Sequence, residues 1–304
     1  MGPDHAGLHG MSEMRFFCFG LGFTGLVVAR HLRARGWFVG GTCRSKEKAE
    51  RLQAEGIDAH IFSGDGPILA LDGITHLLVS IAPSDEGDLV LRHHWDNLGD
   101  NSGALVRVIY LSTTAVYGDR SGEWTDENAL VNPRSKRARF RVDAEEMWRA
   151  WTGRHTIPLD ILRLSGIYGP GRSPLDKLRT GTARRIIKAD HVFNRIHVDD
   201  IAVITTALLE AGHPGAVYNL ADDEPAPPQD VVTYAAKLLG LTPPDEEEFE
   251  SAELSVMARS FYGESKRICN DRIKKRLGIF LLHPTYREGL AAILEAEKAL
   301  AETR

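Results

Sequence analysis

The sequence predicts an α/β fold in which a parallel sheet carries helices on both faces, and three observations support this class. First, the apolar run 16–19 leads directly into glycines spaced G-x-G-x-x-G. Second, an amphipathic stretch follows these glycines at once and ends at Gly36, which predicts strand, turn and helix. Third, residues 74–81, with the apolar residues 77–79 at their centre, predict a strand of the kind that is buried on both faces of a parallel sheet.

The glycine motif predicts a dinucleotide-binding turn of the Rossmann type. Such a turn needs Gly20 for its tight bend, Gly22 for close approach of a pyrophosphate and Gly25 for packing of helix on strand. Phe23 and Thr24 open the helix, whose free N–H groups and positive dipole end would face the phosphates. A glycine-rich turn can also be purely structural, so the flanking strand and helix patterns supply the supporting context.

The end of the predicted second strand, residues 37–42, indicates which dinucleotide binds. Cys43, Arg44 and Ser45 stand where an Asp or Glu would hold the ribose 2′-OH of NAD. Arg44 can pair with the 2′-phosphate of NADP, and Ser45 can add a hydrogen bond to it. The predicted cofactor is therefore NADP rather than NAD. The alternative is that Arg44 is a solvated cation before the predicted helix 46–55.

Polar side chains follow the next strands at their carboxyl ends. A third strand is predicted at 59–62, and the apolar fourth strand leads to Ser80 and Ala82. Both residues are predicted to lie beside the cofactor, because ligands bind at the carboxyl ends of strands in such sheets. The next strand, 106–111, leads to Ser112 and Thr113, whose hydroxyls can donate to a substrate oxygen or position a nicotinamide. The pattern equally allows them to cap a turn.

The second half of the chain predicts the end of the sheet and a small C-terminal substrate lobe. Strands are expected at 160–164 and 217–220 and helices at 201–210 and 231–239, with an exposed connection at 242–250. Asp199 is predicted to cap the helix 201–210, with Asp200 favoured by the helix dipole. The expected organisation is a disordered leader, 1–14, a dinucleotide-binding domain, 15–165, and a segment, 166–304, that completes the sheet and forms the lobe. Residues 1–10 could be tag or an overextended start.

Composition bounds the class of protein and its partners. The chain has 304 residues, 43% of them apolar and 26% charged, with a net charge of -5. An acidic balance without a block of Lys and Arg argues against a nucleic-acid surface, and no apolar run is long enough to span a membrane. We therefore expect a cytoplasmic protein. The three cysteines lack a C-x-x-C spacing and the adjacent His93 and His94 point to different helix faces, so no metal site is expected.

Several motifs, in order, resemble the NAD-dependent epimerase/dehydratase family, the extended branch of the short-chain dehydrogenases/reductases. They are the glycine motif, Ser112-Thr113 with Val116-Tyr117-Gly118, Arg163-Leu164 with residues 166–171, and His197-Val198-Asp199-Asp200-Ile201-Ala202. The resemblance extends from about Arg15 to the C-terminus. The strand end 42–45 and the segment 266–270 are similar to an atypical, YeeZ-like subgroup.

The resemblance also shows a departure at the expected active site. The family has Tyr-x-x-x-Lys on the helix after the Ser/Thr motif, and this chain has Arg137 and Arg141 at those two positions. A guanidinium, with a pKa above about 12, cannot deliver or remove a proton near neutral pH. The resemblance therefore leaves Thr113, the substrate-orienting hydroxyl, and Tyr117 as the candidate catalytic residues. It implies substrate contacts for Ser112, Arg137, Arg141 and Tyr168.

Four further arginines lie in the segment that resembles the substrate lobe, and two interpretations remain open for them. Arg172, Arg179, Arg184 and Arg185 could surround a cleft and bind a carboxylate or phosphate, or they could be solvated side chains. The two functional hypotheses are an NADP-dependent oxidoreductase or isomerase acting on a small polar or nucleotide-linked substrate, and a non-catalytic NADP-binding sensor or interaction protein. A homodimer is an expectation that the family resemblance implies.

Overall fold

A computed structural model describes residues 14–64, 69 and 71–302, so most of the expected leader, residues 1–13, lies outside the described part. The strands and helices below are given in chain order. The strands are β1 (Arg15–Phe19), β2 (Phe38–Cys43), β3 (Asp58–Ile61), β4 (His76–Val79), β5 (Arg107–Thr113), β6 (Trp124–Thr125), β7 (Leu159–Leu164), β8 (Gly166–Tyr168), β9 (Arg185–Ile187), β10 (Arg195–His197), β11 (Val217–Leu220), β12 (Glu246–Glu248) and β13 (Arg267–Ile268). The helices are α1 (Phe23–Ala34), α2 (Lys46–Ala54), α3 (Leu89–Asp100), α4 (Lys136–His155), α5 (Pro174–Arg179), α6 (Val198–Glu210), α7 (Pro228–Leu239), α8 (Val256–Phe261), α9 (Asp271–Leu277) and α10 (Tyr286–Glu302).

A seven-stranded sheet forms the centre of the described chain, in the order β11-β7-β5-β4-β1-β2-β3. All of its strand pairs are parallel, and β1 lies between β2 and β4. The carboxyl ends of these strands therefore meet at one edge of the sheet. The late strand β11 extends the sheet beyond β7, so the second half of the chain contributes to it.

Helices cover both faces of the sheet, as the sequence predicts. On one face, α1, α2 and α6 bury side chains such as Leu32, Leu52 and Ile204 against the strands. On the other face, α3 and α4 bury Leu91 and Trp148. Apolar side chains thus cover the middle of the sheet on both faces, which explains the apolar residues 77–79 in β4.

A third apolar cluster forms the core of the C-terminal lobe. Helices α5, α7 and α10 contribute Leu175, Val231 and Leu290 to it. Short parallel strand pairs, β8 with β10 and β9 with β12, flank this lobe. The lobe therefore has a hydrophobic core of its own beside the main sheet.

Two local predictions differ from the structure. The segment 242–250 is exposed as expected, but it contains β12, whose Glu246 pairs with Arg185 on β9 at 2.7 Å. Helix α6 begins at Val198 and is capped by His197, whose Nδ1 accepts the backbone N–H of Asp199 at 3.2 Å. The prediction of Asp199 as the cap is wrong, because β10 continues to His197 and places Asp199 inside the first helical turn.

No helix in the described ranges is both long and apolar enough to cross a membrane.

Candidate functional site

The three glycines of the turn between β1 and α1 are subject to different structural constraints. Gly20 has φ of +100°, and a Cβ there would lie 3.0 Å from Ile81 Cγ1. A Cβ on Gly25 would lie 2.4 Å from the carbonyl oxygen of Gly20 and 2.8 Å from Cys18 Sγ. A Cβ on Gly22 would meet only the Gly20 carbonyl oxygen, at 4.0 Å. The fold therefore requires Gly20 and Gly25, whereas at Gly22 the described chain leaves open space.

The N-terminus of α1 also lacks the side-chain cap that neighbouring helices have. Ser45 caps α2, Asp88 caps α3 and Ser135 caps α4 by accepting backbone N–H groups. Among the described residues, no side chain does this for α1, which begins after Gly22 at Phe23. The first N–H groups of a helix have no partner within the helix, so those of α1 are available to an anion.

The residues predicted to bind the dinucleotide lie around this turn. Thr24 is buried in the first turn of α1, beside Phe23. Ser80 lies next to Gly20, since a Cβ on Gly20 would be 3.4 Å from the Ser80 carbonyl carbon. Ala82 follows it and is exposed. The structure thus brings the carboxyl end of β4 to the glycine turn.

The end of β2 presents a cation and a hydroxyl to solvent. Arg44 and Ser45 follow β2 and are both exposed. The Ser45 hydroxyl accepts the backbone N–H of Lys48 at 3.3 Å and also hydrogen-bonds the Glu47 carboxylate. Within the described ranges no acidic side chain pairs with Arg44, so its guanidinium is available to a ligand.

A loop from the lobe packs over the glycine turn. Gly169 approaches Phe23 closely, because a Cβ on Gly169 would lie 3.3 Å from the Phe23 ring. The guanidinium carbon of Arg172 lies 5.4 Å from the centre of the same ring. Of the four lobe arginines, Arg172 is therefore the one that contacts the glycine turn, through the Phe23 ring. The others pair with acids inside the lobe: Arg179 with Glu297, Arg184 with Glu247 and Arg185 with Glu246.

A buried carboxylate joins three elements beneath the end of β5. Glu145, on α4, accepts the Ser112 hydroxyl at 2.6 Å. It also accepts Nε and Nη2 of Arg163, on β7, at 3.1 and 2.8 Å. The Ser112 hydroxyl therefore donates to Glu145 and helps to fix the end of β5, and its expected substrate contact stays a prediction. Sequence reasoning missed this role of Glu145, and its place four residues after Arg141 was the only signal.

The two candidate catalytic hydroxyls have different surroundings. Thr113 is half-buried at the end of β5, and its oxygen accepts the Ala115 N–H at 3.2 Å, which leaves its proton free to donate. Tyr117 has no exposed surface, and its hydroxyl donates to Asn219 Oδ1 at 2.7 Å. Burial raises the pKa of Tyr117, and the nearby Arg163 opposes this increase. The catalytic role of Tyr117 stays a prediction, and this geometry does not favour it.

The two arginines at the family's Tyr and Lys positions lie one turn apart on α4. Arg137 is exposed in the first turn of the helix. Arg141 is half-buried, and its Nη1 donates to the carbonyl oxygen of Leu111 at 2.5 Å and to the Tyr110 hydroxyl at 3.2 Å. Arg141 is therefore held in part by contacts to β5, and the expected substrate contacts of Arg141 and of the exposed Arg137 stay predictions.

Tyr168 does not reach open space. It is 6% exposed, and its hydroxyl lies 3.5 Å from the carbonyl oxygen of Thr285. A Cβ on Gly289 would lie 2.0 Å from that hydroxyl, so α10 packs directly on the ring. The structure places Tyr168 in the core of the lobe, and its predicted substrate contact stays untested.

Comparison with known proteins agrees with this architecture. The model of the NAD dependent epimerase/dehydratase family matches residues 98–221. The chain is 32% identical over 268 residues to Protein YeeZ of Escherichia coli K12, a match that covers 83% of this chain and 92% of that protein.

Solved structures share the fold. A conserved protein of unknown function from Silicibacter pomeroyi is 47% identical, with a TM-score of 0.87 over 93% of this chain and 99% of that one. The UDP-glucuronic acid 4-epimerase of Bacillus cereus, solved with UDP-glucuronic acid and NAD, is 20% identical, with a TM-score of 0.73 over 94% of this chain and 100% of that one. At that identity the second likeness concerns the fold alone. The sequence match to YeeZ and the family model together show that this chain belongs to the NAD-dependent epimerase/dehydratase family.

Proposed function

We propose that this chain binds NADP and acts as an oxidoreductase or isomerase on a small polar or nucleotide-linked substrate, with an altered active site. The observation that carries the proposal is the glycine turn. Neither the conformation nor the packing of the chain at Gly22 requires a glycine. The missing side chain leaves open space beside a helix N-terminus that has no side-chain cap among the described residues. A pyrophosphate needs both features, since it must approach the backbone closely and be met by N–H groups.

Several residues around the turn fit the remainder of a dinucleotide. Gly20, Phe23 and Thr24 would line the pyrophosphate, and Ser80 and Ala82 would lie along the cofactor at the end of β4. When bound, the cofactor would supply hydride transfer at its nicotinamide. The epimerase of Bacillus cereus holds NAD, which supports a dinucleotide in this fold without deciding between NAD and NADP.

The choice of NADP rests on the end of β2. Arg44 is exposed there without an acidic partner in the described part of the chain, and the Ser45 hydroxyl beside it would exchange its hydrogen bond to Glu47 for one to the phosphate. A guanidinium and a hydroxyl suit a 2′-phosphate, whereas a ribose 2′-OH is usually met by an acid, which this strand end lacks.

Thr113 is the side chain best placed to orient a substrate oxygen. It ends β5 at the carboxyl edge of the sheet, and its proton is free to donate. The buried group of Ser112, Glu145 and Arg163 holds that strand end in position. A threonine hydroxyl orients a substrate but does not titrate near neutral pH, so the proton must come from a water or from the substrate itself.

A second candidate function, a non-catalytic NADP sensor, is favoured by one observation. The Arg141 guanidinium is bound to the backbone of β5, and neither it nor Arg137 can serve as the general acid/base. Oxidation of bound NADPH by added carbonyl metabolites would support the enzyme. Binding of NADPH without any oxidation would support the sensor.

A matched pair of glycine variants tests the proposal. Gly22→Val should weaken NADPH binding at least about tenfold in a fluorescence titration, because the side chain fills the pyrophosphate space. Its unfolding temperature should stay close to that of the unmodified protein, since the described chain leaves room for the side chain. Gly103→Val is the control, because a Cβ there meets nothing within 4 Å and Gly103 lies in a turn before β5, away from the glycine motif. Equal NADPH affinity in both variants would refute the proposed use of the turn.

A further inference from the structure

Two histidines and an aspartate from distant parts of the sequence meet at the start of α6, and the proposed function uses none of them. His197 caps the helix, Asp199 lies in its first turn and His283 comes from the loop before α10. One nitrogen or oxygen atom from each lies within 4.8 Å of the other two. We propose that these three side chains form a binding site for one divalent transition-metal ion, zinc by preference.

Two of the three pairs of ligand atoms are close to the spacing of a metal centre, and the third pair, between the two histidines, lies within 4.8 Å. The Nδ1 atom of His197 lies 3.6 Å from Oδ2 of Asp199, and Nε2 of His283 lies 3.9 Å from the same oxygen. Zinc binds imidazole nitrogen and carboxylate oxygen at about 2.0–2.2 Å, which separates tetrahedral ligands by roughly 3.3–3.5 Å. Shifts of a few tenths of an ångström in the two pairs that share Asp199 would bring them to these values.

A metal ion would replace contacts that the donor atoms now make, including the hydrogen bond between His283 and the Asp199 carboxylate. The Nδ1 atom of His197 accepts the Asp199 N–H, so this nitrogen carries the lone pair of the ring and Nε2 carries its proton. A metal ion would replace that N–H as the partner of the lone pair. The Asp199 side chain is 49% exposed, whereas those of His197 and His283 are 2% and 13% exposed. Solvent can therefore reach the carboxylate side and supply water to the remaining coordination positions.

The two segments that carry the ligands are already fixed to one another. Asp200 accepts the backbone N–H groups of Leu282 and His283 at 2.6 and 3.2 Å. The rings of His197 and His283 lie 4.1 Å apart, and the Tyr168 ring packs edge-on against His197. A metal ion would thus enter a preformed site rather than order a loose one, and it would tie the loop before α10 to α6.

Two imidazoles and one carboxylate select the class of metal. Imidazole ligands suit zinc, copper, nickel and iron, whereas calcium and magnesium prefer oxygen ligands alone. The sequence hides this set, because His283 follows Asp199 by more than eighty residues and no short ligand spacing exists. Zn²⁺ and Co²⁺ are therefore the appropriate probes.

The test is calorimetric titration of the full chain with Zn²⁺ alone, followed by Co²⁺ absorption spectroscopy. We expect one Zn²⁺ at this site, and His283→Ala should weaken that binding at least about tenfold. His60→Ala is the matched control, because His60 forms an ordinary pair with Asp58 at 3.1 Å without a third ligand. Zn²⁺ should raise the unfolding temperature of the unmodified protein and of His60→Ala more than that of His283→Ala.

Asp199→Asn serves as a second variant if His283→Ala does not fold. It keeps the shape of the side chain, and it should also weaken Zn²⁺ binding and alter the Co²⁺ spectrum. Absence of Zn²⁺ binding by the unmodified protein would overturn the proposal. Unchanged Zn²⁺ affinity in the variant that folds would also overturn it, since the ion would then be bound elsewhere, for example by His5 and His9 near the N-terminus.

Discussion

Replacement of Glu145 by alanine should remove the carboxylate that joins β5, α4 and β7 beneath the site. This carboxylate accepts hydrogen bonds from Ser112, Arg163 and Arg149. The side chains of Glu145 and Arg163 are 1% and 6% exposed, so the variant would leave a guanidinium charge buried without its partner. Breaking a buried pair in this way costs about 3–5 kcal/mol, which is a large part of the roughly 5–15 kcal/mol that stabilises a typical domain.

Urea unfolding followed by tryptophan fluorescence measures this loss, because Trp148 and Trp151 are fully buried on the same helix. The midpoint should fall by about 1–2.5 M if the slope is near 2–3 kcal/mol/M. Glu146→Ala is the control: its carboxylate is 67% exposed and pairs with Arg149 at the surface, so it should cost under about 1 kcal/mol. Glu145→Gln keeps an acceptor for Ser112, so its urea midpoint should lie between those of Glu145→Ala and Glu146→Ala. This variant serves as the test if Glu145→Ala does not fold. Equal midpoints for Glu145→Ala and Glu146→Ala would refute the reasoning.

Two further predictions concern stability at residues other than the candidate hydroxyls Thr113 and Tyr117. Gly25→Ala should lower the unfolding temperature, because its Cβ would lie 2.4 Å from a backbone oxygen of the turn. Gly103→Ala should leave the unfolding temperature unchanged, and equal temperatures for the two variants would contradict this prediction. Burial lowers the pKa of His76 from 6.5 to about 4, so the unfolded chain binds a proton there before the folded chain does. Stability from the neutral imidazole is therefore present above pH 6.5 and is lost as pH falls toward 4. The free energy of unfolding of the unmodified protein, measured relative to that of His76→Gln in urea titrations, should therefore fall by about 2 kcal/mol between about pH 7.5 and 5. Parallel pH profiles would contradict that assignment.

Sequence reasoning succeeded where the signal is local. The turn at Gly20 and the strand ends at Arg44 and Ser80 could be predicted, since each depends on a few neighbouring residues. The parallel sheet followed from apolar runs that alternate with helical patterns. The family of the chain was also recognisable, because several motifs occur in the expected order.

Contacts between distant residues could not be predicted in the same way. Glu145 meets Ser112 across 33 residues and Arg163 across 18, and only the fold brings these side chains together. Tyr117 illustrates the same limit, because its motif suggests chemistry but gives no sign that its hydroxyl is buried against Asn219, so its catalytic role stays a prediction. A motif places a residue on an element, but burial and partners decide whether that residue can react.

The central claim is that the turn between β1 and α1 and the end of β2 bind NADP. Calorimetric titration of the unmodified protein with NADPH and with NADH tests it directly, with Arg44→Asp measured beside it. We predict that NADPH binds more tightly than NADH, and that Arg44→Asp loses about 1.5–3 kcal/mol of NADPH binding, roughly ten- to a hundredfold, by removing a charge-assisted hydrogen bond. Binding of neither dinucleotide, or NADH binding as tight as that of NADPH, would contradict the account.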